Sequence, residues 1–283
     1  DVFPDVAVEL GAITDRRVIA VAEWLERETY LRADAVTVLS DDLRDNVAAK
    51  VAGRRGAAGD PSKVRVIPNF IDTTWIRPME RENDYRRQHG LTGKRVVMYA
   101  GNVGFSQSLD LLLAAASHMS HDPDVAFVIN GGGSARPSLE RAAAGMANVK
   151  FVDMAPKDRL PEVAAAADIH VVPLKAGLAR SSVPSKLYSI LAAGRPVLAS
   201  VDPGTEVANT VERAAAGISV PPEDADAFCD ALEQLLDDPD RRAEMGASGR
   251  RFVEGWVSPA AVGAAYERLF EELVAARPRG ARR

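Results

Sequence analysis

The sequence predicts an α/β fold in which a doubly wound parallel sheet carries helices on both faces. Along most of the 283 residues, short apolar, β-branched segments alternate with segments whose apolar residues recur at helical spacing. Repeated strand–helix–strand units form parallel sheets, because each helix returns the chain to the edge where the next strand begins. The strand segments read as continuous apolar runs rather than as alternating apolar and polar residues, which is typical of strands that are covered on both faces.

The individual elements follow from these two patterns. The predicted strands are Ala35–Leu39, Val64–Ile67, Arg95–Ala100, Val125–Asn130, Val149–Val152, Ile169–Pro173 and Pro196–Val201. The predicted helices are Val18–Arg32, Ser108–Met119, Ser138–Met146, Arg159–Ala167, Ser185–Ala193, Ala225–Leu236, Pro239–Glu254 and Ser258–Ala276. Because ligands bind at the carboxyl ends of such strands, the loops that follow them are the candidate binding segments.

Composition and charge exclude several classes of function. The formal net charge is -5 and the pI is near 5.5, without the basic excess of nucleic-acid binders, so no nucleic-acid partner is expected. The single cysteine, Cys229, excludes an internal disulfide, fits a reducing compartment and is interpreted as a small buried hydrophobe. The histidines show no ligand spacing, so no metal is predicted, and His170 is interpreted as a core or rim histidine.

A domain boundary is predicted near Pro68–Pro78, where a short strand runs into a Pro- and Asn-containing segment. The predicted divisions are residues 1–72, residues 73–255, and a closing helix with a basic tail at 256–283. The tail Arg277–Arg283 is interpreted as a solvated end, or alternatively as a weak contact with anionic lipid headgroups.

The loop Gly101-Asn102-Val103-Gly104 follows a strand and precedes a helix. Glycines there let backbone N–H groups approach an oxyanion, and the helix start adds partial positive charge. The loop therefore predicts a diphosphate site, although such turns also serve only to fit a helix tightly against its sheet.

A second candidate segment leads into the helix that precedes the last predicted strand. Pro184 stands where proline begins helices, Ser185 can cap the helix, and Lys186 lies in its first turn. A hydroxyl, a lysine and free helix N–H groups together indicate an anion site; the alternative is an ordinary capped helix with a solvated lysine. Glu206, at the next helix start, is interpreted either as an acceptor from sugar hydroxyls or as a carboxylate that stabilises the helix dipole.

At these residues the chain resembles glycosyltransferase family 4, whose members have the two-lobed GT-B fold. Val66–Asp72 resembles the linker between the lobes, often written I-P-N-G-V-D, and Met98–Gly104 resembles the first strand and loop of the donor lobe. Val183–Val197 resembles the form V-P-S-K-x-Y-x-I-x-A-A-G-R-P-V of the polysaccharide-assembly members, such as the colanic-acid and O-antigen type enzymes. The resemblance covers nearly the whole chain.

The resemblance implies a retaining, metal-independent transfer of a sugar from a nucleotide-sugar, expected to be UDP-linked, to a saccharide or polyprenyl-linked acceptor. It also implies a cytoplasmic enzyme in peripheral contact with the inner membrane face. Lys186 is the predicted catalytic residue, which would stabilise the leaving diphosphate electrostatically. The predicted donor-binding residues are Gly101, Asn102, Gly104, Ser181, Pro184, Ser185, Ser189 and Glu206. No metal or other cofactor is expected.

The chain departs from the family pattern at several positions. Many relatives carry an E-x7-E pair where this sequence has Ser181 and Ser189, and basic residues near the positions of Asn102 and Gln107. We interpret these departures as a subgroup signature, and hypothesise that Glu206 takes over hydroxyl recognition.

The first residues also bear on the fold prediction. Asp1–Asp5 resembles a motif well inside the family's N-terminal lobe, so a complete C-terminal lobe and the end of the N-terminal lobe are expected. The helix Val18–Arg32 is then expected to expose apolar surface. Two alternatives stay open: a nucleotide-sugar 2-epimerase, for which no convincing His/Glu set is found, and a non-catalytic donor-binding lobe that needs a separate acceptor-lobe chain.

Overall fold

The computed structural model describes residues 2–9, 11–52, 59–178 and 186–276. The chain separates into two compact units. The first unit runs to Phe70 and resumes at Trp256, and the second runs from Ile71 to Gly255. The change of unit at Phe70 lies inside the Pro68–Pro78 segment, and the assignment of the units to an acceptor and a donor lobe stays a prediction. In the described ranges, no helix combines the length and apolar character that crossing a membrane requires.

The first unit is built on a parallel pair of short strands. Its elements are β1 (Val36–Val38), β2 (Val64–Val66), α1 (Asp5–Glu9), α2 (Arg16–Arg32), α3 (Asp41–Val51) and α12 (Pro259–Ala276). Helix α2 begins two residues before its predicted start, because the Asp15 side chain caps it by accepting hydrogen bonds from the N–H groups of Arg17 and Val18. As predicted, α2 exposes apolar surface: Val18, Val21, Trp24 and Leu25 are between 49% and 58% exposed.

The second unit contains a six-stranded sheet that is parallel throughout. Its strands are β3 (Arg95–Ala100), β4 (Val125–Asn130), β5 (Val149–Val152), β6 (Ile169–Pro173), β7 (Val197–Ser200) and β8 (Gly217–Val220). They lie in the order β5-β4-β3-β6-β7-β8. The bounds of β3, β4, β5 and β6 agree with the predicted ones. Strand β8 was not predicted, since it is a short, half-exposed edge strand without a continuous apolar run.

Helices cover both faces of this sheet. They are α4 (Asp84–Gln88), α5 (Asp110–His118), α6 (Arg136–Ala142), α7 (Leu160–Ala165), α8 (Lys186–Ala192), α9 (Glu206–Arg213), α10 (Ala225–Asp237) and α11 (Pro239–Trp256). Alternate residues of β3 enter opposite cores: Val97 and Tyr99 pack with residues of α5 and α10, whereas Val96 and Met98 pack with residues of α4 and α7. This division confirms the predicted doubly wound arrangement.

A buried ion pair secures the edge of the sheet at which β3 and β6 begin. The Asp168 carboxylate accepts a hydrogen bond from Arg86 Nη2 at 2.6 Å and another from the Val96 N–H at 2.7 Å, and it also pairs with Arg81. Burial alone would raise the pKa of Asp168, but these donors and cations outweigh it and hold the pKa below its usual value. This network lies at the opposite edge of the sheet from the strand ends where ligands bind, so its role is structural.

Candidate functional site

The order of strands places a binding crevice in the second unit. β4 and β5 lie on one side of β3, while β6, β7 and β8 continue on the other side. Open α/β sheets bind ligands outside the carboxyl ends of the strands at such a switch point. A cavity of about 230 Å³ opens there, and its mostly apolar lining includes Gly101, Asn130, His170, Lys186 and Ser189. Three residues predicted for the site from distant parts of the sequence, Gly101, Lys186 and Ser189, therefore line one cavity.

Lys186 is the first residue of α8 and carries its amine into this cavity. The Nζ atom lies 3.8 Å from the centroid of the Tyr99 ring, a distance at which an ammonium is attracted by the ring face. Across the described residues, no carboxylate lies within ion-pair distance of Lys186. Burial lowers the pKa of the Lys186 amine to about 7. The amine is thus about half charged at neutral pH, and a bound anion would favour its charged form.

Tyr99 connects this lysine to the loop after β3. Its buried hydroxyl donates a hydrogen bond to the carbonyl oxygen of Asn102 at 2.5 Å, and burial raises the pKa of the hydroxyl. A Cβ atom at Gly101 would lie 3.5 Å from Lys186 Nζ and 3.8 Å from the Tyr99 hydroxyl oxygen. The loop, the ring and the ammonium therefore meet at Gly101.

The loop amides predicted to bind phosphate differ in what they already contact. Gly101 N–H donates to Asn130 O at 2.9 Å, and Gly104 N–H donates to Gln107 Oε1 at 3.0 Å. Val103 N–H also donates to a backbone carbonyl of the next loop. Asn102 N–H makes no hydrogen bond with any residue that the structure describes. An anion could therefore accept directly from Asn102, but would reach the Gly104 amide only after the Gln107 side chain moves.

The loop after β4 supports the loop after β3 through contact between their backbones. A Cβ atom at Gly131, where φ is +149°, would lie 1.9 Å from the Gly101 carbonyl oxygen. At Gly133, a Cβ atom would lie 2.3 Å from the Val103 carbonyl oxygen. Side chains at these two positions would separate the loops, so these glycines are required for packing rather than for contact with an anion.

His170 forms part of the cavity wall from within β6. Its Nε2 atom lies 2.8 Å from the carbonyl oxygen of Ala164, so Nε2 carries the hydrogen. Burial lowers the pKa of His170 to about 4, and the ring is neutral at physiological pH. The interpretation as a core or rim histidine is confirmed. Among the residues with described positions, no group of three or more His, Cys, Asp or Glu side chains could hold a metal ion.

The far wall of the cavity is formed by Met154 and Ala155, which follow β5, and by Leu160. Arg136 joins the loops after β4 and β5, since its Nη1 atom donates to Gly131 O at 2.7 Å and to Asp153 Oδ1 at 2.6 Å. Arg136 was not predicted from the sequence; its position in the first turn after the Gly-rich segment is the signal that could have identified it.

The remaining predicted residues have separate outcomes. Ser181, Pro184 and Ser185 lie outside the described residues. Glu206 is not among the residues that line the cavity, and its Oε1 atom accepts hydrogen bonds from Thr210 Oγ1 and Arg213 Nη2, each at 3.0 Å. These contacts within α9 agree with the helix-stabilising interpretation, while recognition of sugar hydroxyls by Glu206 stays a prediction.

Known proteins are similar to this chain in sequence and in fold. The chain is 32% identical over 225 residues to the putative colanic acid biosynthesis glycosyl transferase WcaI of Escherichia coli, covering 78% of this chain and 54% of that protein. The chain spans between 54% and 64% of the length of three curated bacterial relatives.

Two solved structures are similar in fold. Sucrose-phosphate synthase from Thermosynechococcus elongatus has a TM-score of 0.76 and 23% identity, over 96% of this chain and 67% of that chain. Anabaena HepE, solved in complex with UDP-glucose, has a TM-score of 0.73 and 16% identity, over 89% of this chain and 68% of that chain. These likenesses confirm the predicted α/β GT-B fold class.

The sequence pattern that defines the family described as glycosyl transferases group 1 matches residues 94–238, just over half of the chain. The match begins immediately before β3 and includes every element that lines the cavity, so the family and the geometry identify the same part of the molecule. The chain belongs to the glycosyl transferases group 1 family.

Proposed function

We propose that this protein is a retaining glycosyltransferase that transfers a sugar from a UDP-linked donor to a saccharide or lipid-linked saccharide acceptor during synthesis of a cell-surface polysaccharide. The observation that carries the proposal is the Lys186 amine. It lies in the cavity at the switch point of a group 1 glycosyl transferase, beside the loop after β3, with no carboxylate partner within the described ranges.

The cavity suits a nucleoside diphosphate. Lys186 and the Asn102 N–H can contact the diphosphate oxygens, because an ammonium and an amide N–H are both donors for phosphate. The apolar wall at Met154, Ala155 and Leu160 suits the flat face of a nucleobase. The complex of the structural neighbour HepE with UDP-glucose supports uridine as the base.

The chemistry requires charge stabilisation rather than a protein nucleophile. The bond between the anomeric carbon of the sugar and a diphosphate oxygen breaks, and its electron pair leaves with the diphosphate. The acceptor hydroxyl forms the new bond on the same face, and its proton passes to the departing phosphate oxygen. A charged Lys186 next to that oxygen would lower the barrier, because a preorganised charge stabilises the negative charge that develops in the transition state.

We propose that no metal ion is needed. In many enzymes a divalent cation neutralises the charge on a phosphate group, and here the Lys186 ammonium and the loop amides would neutralise the leaving diphosphate.

The acceptor is proposed from the relative named for colanic acid biosynthesis. A cytoplasmic location, in peripheral contact with the membrane that carries a lipid-linked acceptor, completes the proposal and agrees with the single cysteine.

Nucleotide binding tests this proposal. The chain is titrated calorimetrically with UDP, GDP and ADP, each with magnesium and with a chelator, and its thermal unfolding is recorded in parallel. A ligand that binds only the folded protein stabilises it by about 2.7 kcal/mol at 100 times its dissociation constant. We expect UDP to bind and to raise the unfolding temperature equally in both conditions.

Each other result has a defined meaning. Binding of GDP or ADP in place of UDP would correct the base and keep the donor site. Binding that requires magnesium would refute the metal-independent chemistry. Failure of all three nucleotides to bind the folded protein would refute the donor site. Binding of a nucleotide-sugar without release of its sugar to any added saccharide would favour the donor-binding module over the transferase.

A further inference from the structure

We propose that Tyr99 is a positioning residue of the donor site: its ring holds the Lys186 ammonium inside the cavity, and its hydroxyl fixes the loop after β3. The two elements that contact the anion are then presented together. This inference rests on the proposed function, because it takes the bound anion to be the diphosphate of the donor.

The ring explains why a lysine stays in a mostly apolar cavity. An ammonium that is buried without a carboxylate partner is more stable in solvent, and a lysine side chain is long and flexible enough to carry it there. The face of the Tyr99 ring, 3.8 Å from Nζ, is the one attraction for the ammonium that we find in the described part of the chain. Without this ring, the flexible lysine side chain would be free to leave the cavity.

The hydroxyl acts on the other element. Its hydrogen bond to the Asn102 carbonyl oxygen, at 2.5 Å, fixes the orientation of the peptide groups in the loop. The neighbouring Asn102 N–H is the loop amide that makes no hydrogen bond among the described residues. Fixing this loop in advance lowers the conformational cost of binding an anion.

Phe127 shows what an aromatic residue in this core does without such contacts. It is fully buried, packs in the same hydrophobic cluster as Tyr99, and pairs across the sheet with Val97, two residues before Tyr99. It does not line the cavity. Phe127→Leu is therefore a matched control for removing a buried ring from this core.

The experiment compares wild type, Tyr99→Phe, Tyr99→Leu and Phe127→Leu by calorimetric titration with UDP-glucose and GDP-mannose from pH 6 to pH 8. The diphosphates of these probes have no ionisation in that range. Tyr99 has its pKa raised far above it, and His170, with a pKa of about 4, lies below it. The change of affinity with pH therefore reports Lys186, whose pKa is about 7. Thermal unfolding shows that each variant is folded.

We expect Tyr99→Phe to bind about fivefold more weakly, from loss of one hydrogen bond, and to retain the weakening between pH 6 and pH 8. We expect Tyr99→Leu to bind more than about tenfold more weakly at pH 6. It should also lose the pH dependence, because a lysine that reaches solvent regains its usual pKa near 10.4. Phe127→Leu should match wild type in both respects.

A double-mutant cycle with Lys186→Met decides the case even when Tyr99→Leu is poorly folded. If the Tyr99 ring acts through the lysine, adding Tyr99→Leu to Lys186→Met should weaken binding less than the same change does in wild type. Tyr99→Phe keeps the ring and acts on the loop, so its effect should be the same with and without Lys186. Tyr99 variants that resemble Phe127→Leu, or a Tyr99→Leu effect that is fully additive with Lys186→Met, would overturn the inference. If wild type binds neither probe, that result refutes the proposed function rather than the role of Tyr99.

Discussion

Replacing Lys186 with Met should abolish tight donor binding without destabilising the protein. Methionine has a similar length and no charge, and the surrounding cavity is mostly apolar. The change removes a desolvated amine for which no carboxylate partner is found in the described ranges, so the unfolding temperature should be equal to or higher than that of wild type. Loss of binding in this variant could not then be attributed to loss of the fold.

The magnitude follows from the contacts that Lys186 would make. A hydrogen bond between a charged group and its partner contributes about 1.5–3 kcal/mol, which corresponds to a loss of roughly 10- to 150-fold in affinity. The expected loss lies toward the upper end of this range, because the amine is shielded from solvent inside the cavity.

The pH dependence of donor affinity is an independent test of the same role for Lys186. With a pKa of about 7, roughly ten in eleven amines are charged at pH 6 and roughly one in eleven at pH 8. The anion binds the charged form, so affinity should fall about tenfold as the pH rises from 6 to 8. Binding near pH 7 should take up about half a proton, which calorimetry in buffers of different ionisation enthalpy measures.

Calorimetric titration of wild type and Lys186→Met with UDP-glucose and GDP-mannose tests both statements. Lys186→Arg is the matched control, because it keeps a charge that does not titrate in this range. Unchanged affinity in Lys186→Met would refute the role of this lysine. Equal pH dependence in wild type and Lys186→Met would refute the assignment of the titrating group.

Three further predictions concern the supporting structure. Gly131→Ala should lower the free energy of unfolding by roughly 2–3 kcal/mol in urea denaturation, because the new Cβ would lie 1.9 Å from a backbone carbonyl oxygen. Gly132→Ala is the control and should not lower it, because no atom lies within 4 Å of its Cβ. Equal effects of the two substitutions would contradict the packing role of Gly131. Asp168→Asn should cost roughly 3 kcal/mol or more by the same measurement, since it removes the buried carboxylate that pairs with the Arg86 guanidinium and leaves that cation with the partly exposed Glu82, and a neutral outcome would show that the buried pair is dispensable. Gln107→Ala should tighten UDP binding about threefold by calorimetry, because it frees the Gly104 amide from a hydrogen bond of modest net strength; weaker binding would mean that Gln107 itself contacts the donor.

The central strands were predictable because they are buried on both faces. β3 from Val96 to Ala100 and β4 from Val125 to Ile129 are continuous apolar runs, because their alternate residues are buried in two cores. The edge strand β8 has one buried residue out of four, so its apolar pattern is too weak to identify. The five-residue helix α4 is mostly charged and was missed for the same reason.

Part of the candidate site was predictable from the alternation of strands and helices. The rule that loops at the carboxyl ends of parallel strands share one edge was enough to bring Gly101 and Lys186 together. Contacts that depend on side-chain direction were not predictable. The ring of Tyr99 beneath the ammonium is a tertiary contact that no spacing in the sequence encodes. The Gln107 oxygen on the Gly104 amide is a local contact, but it depends on the side-chain rotamer of Gln107.

The cavity beside Lys186 is proposed to hold the diphosphate of the donor. A crystal structure of this chain with UDP, and a second with GDP if UDP does not bind, tests this assignment. We expect a diphosphate oxygen within hydrogen-bond distance of Lys186 Nζ and of the Asn102 N–H, with the base against Met154 and Leu160. A nucleotide bound elsewhere in the second unit, with Lys186 still against the Tyr99 ring and without a phosphate contact, would contradict the claim.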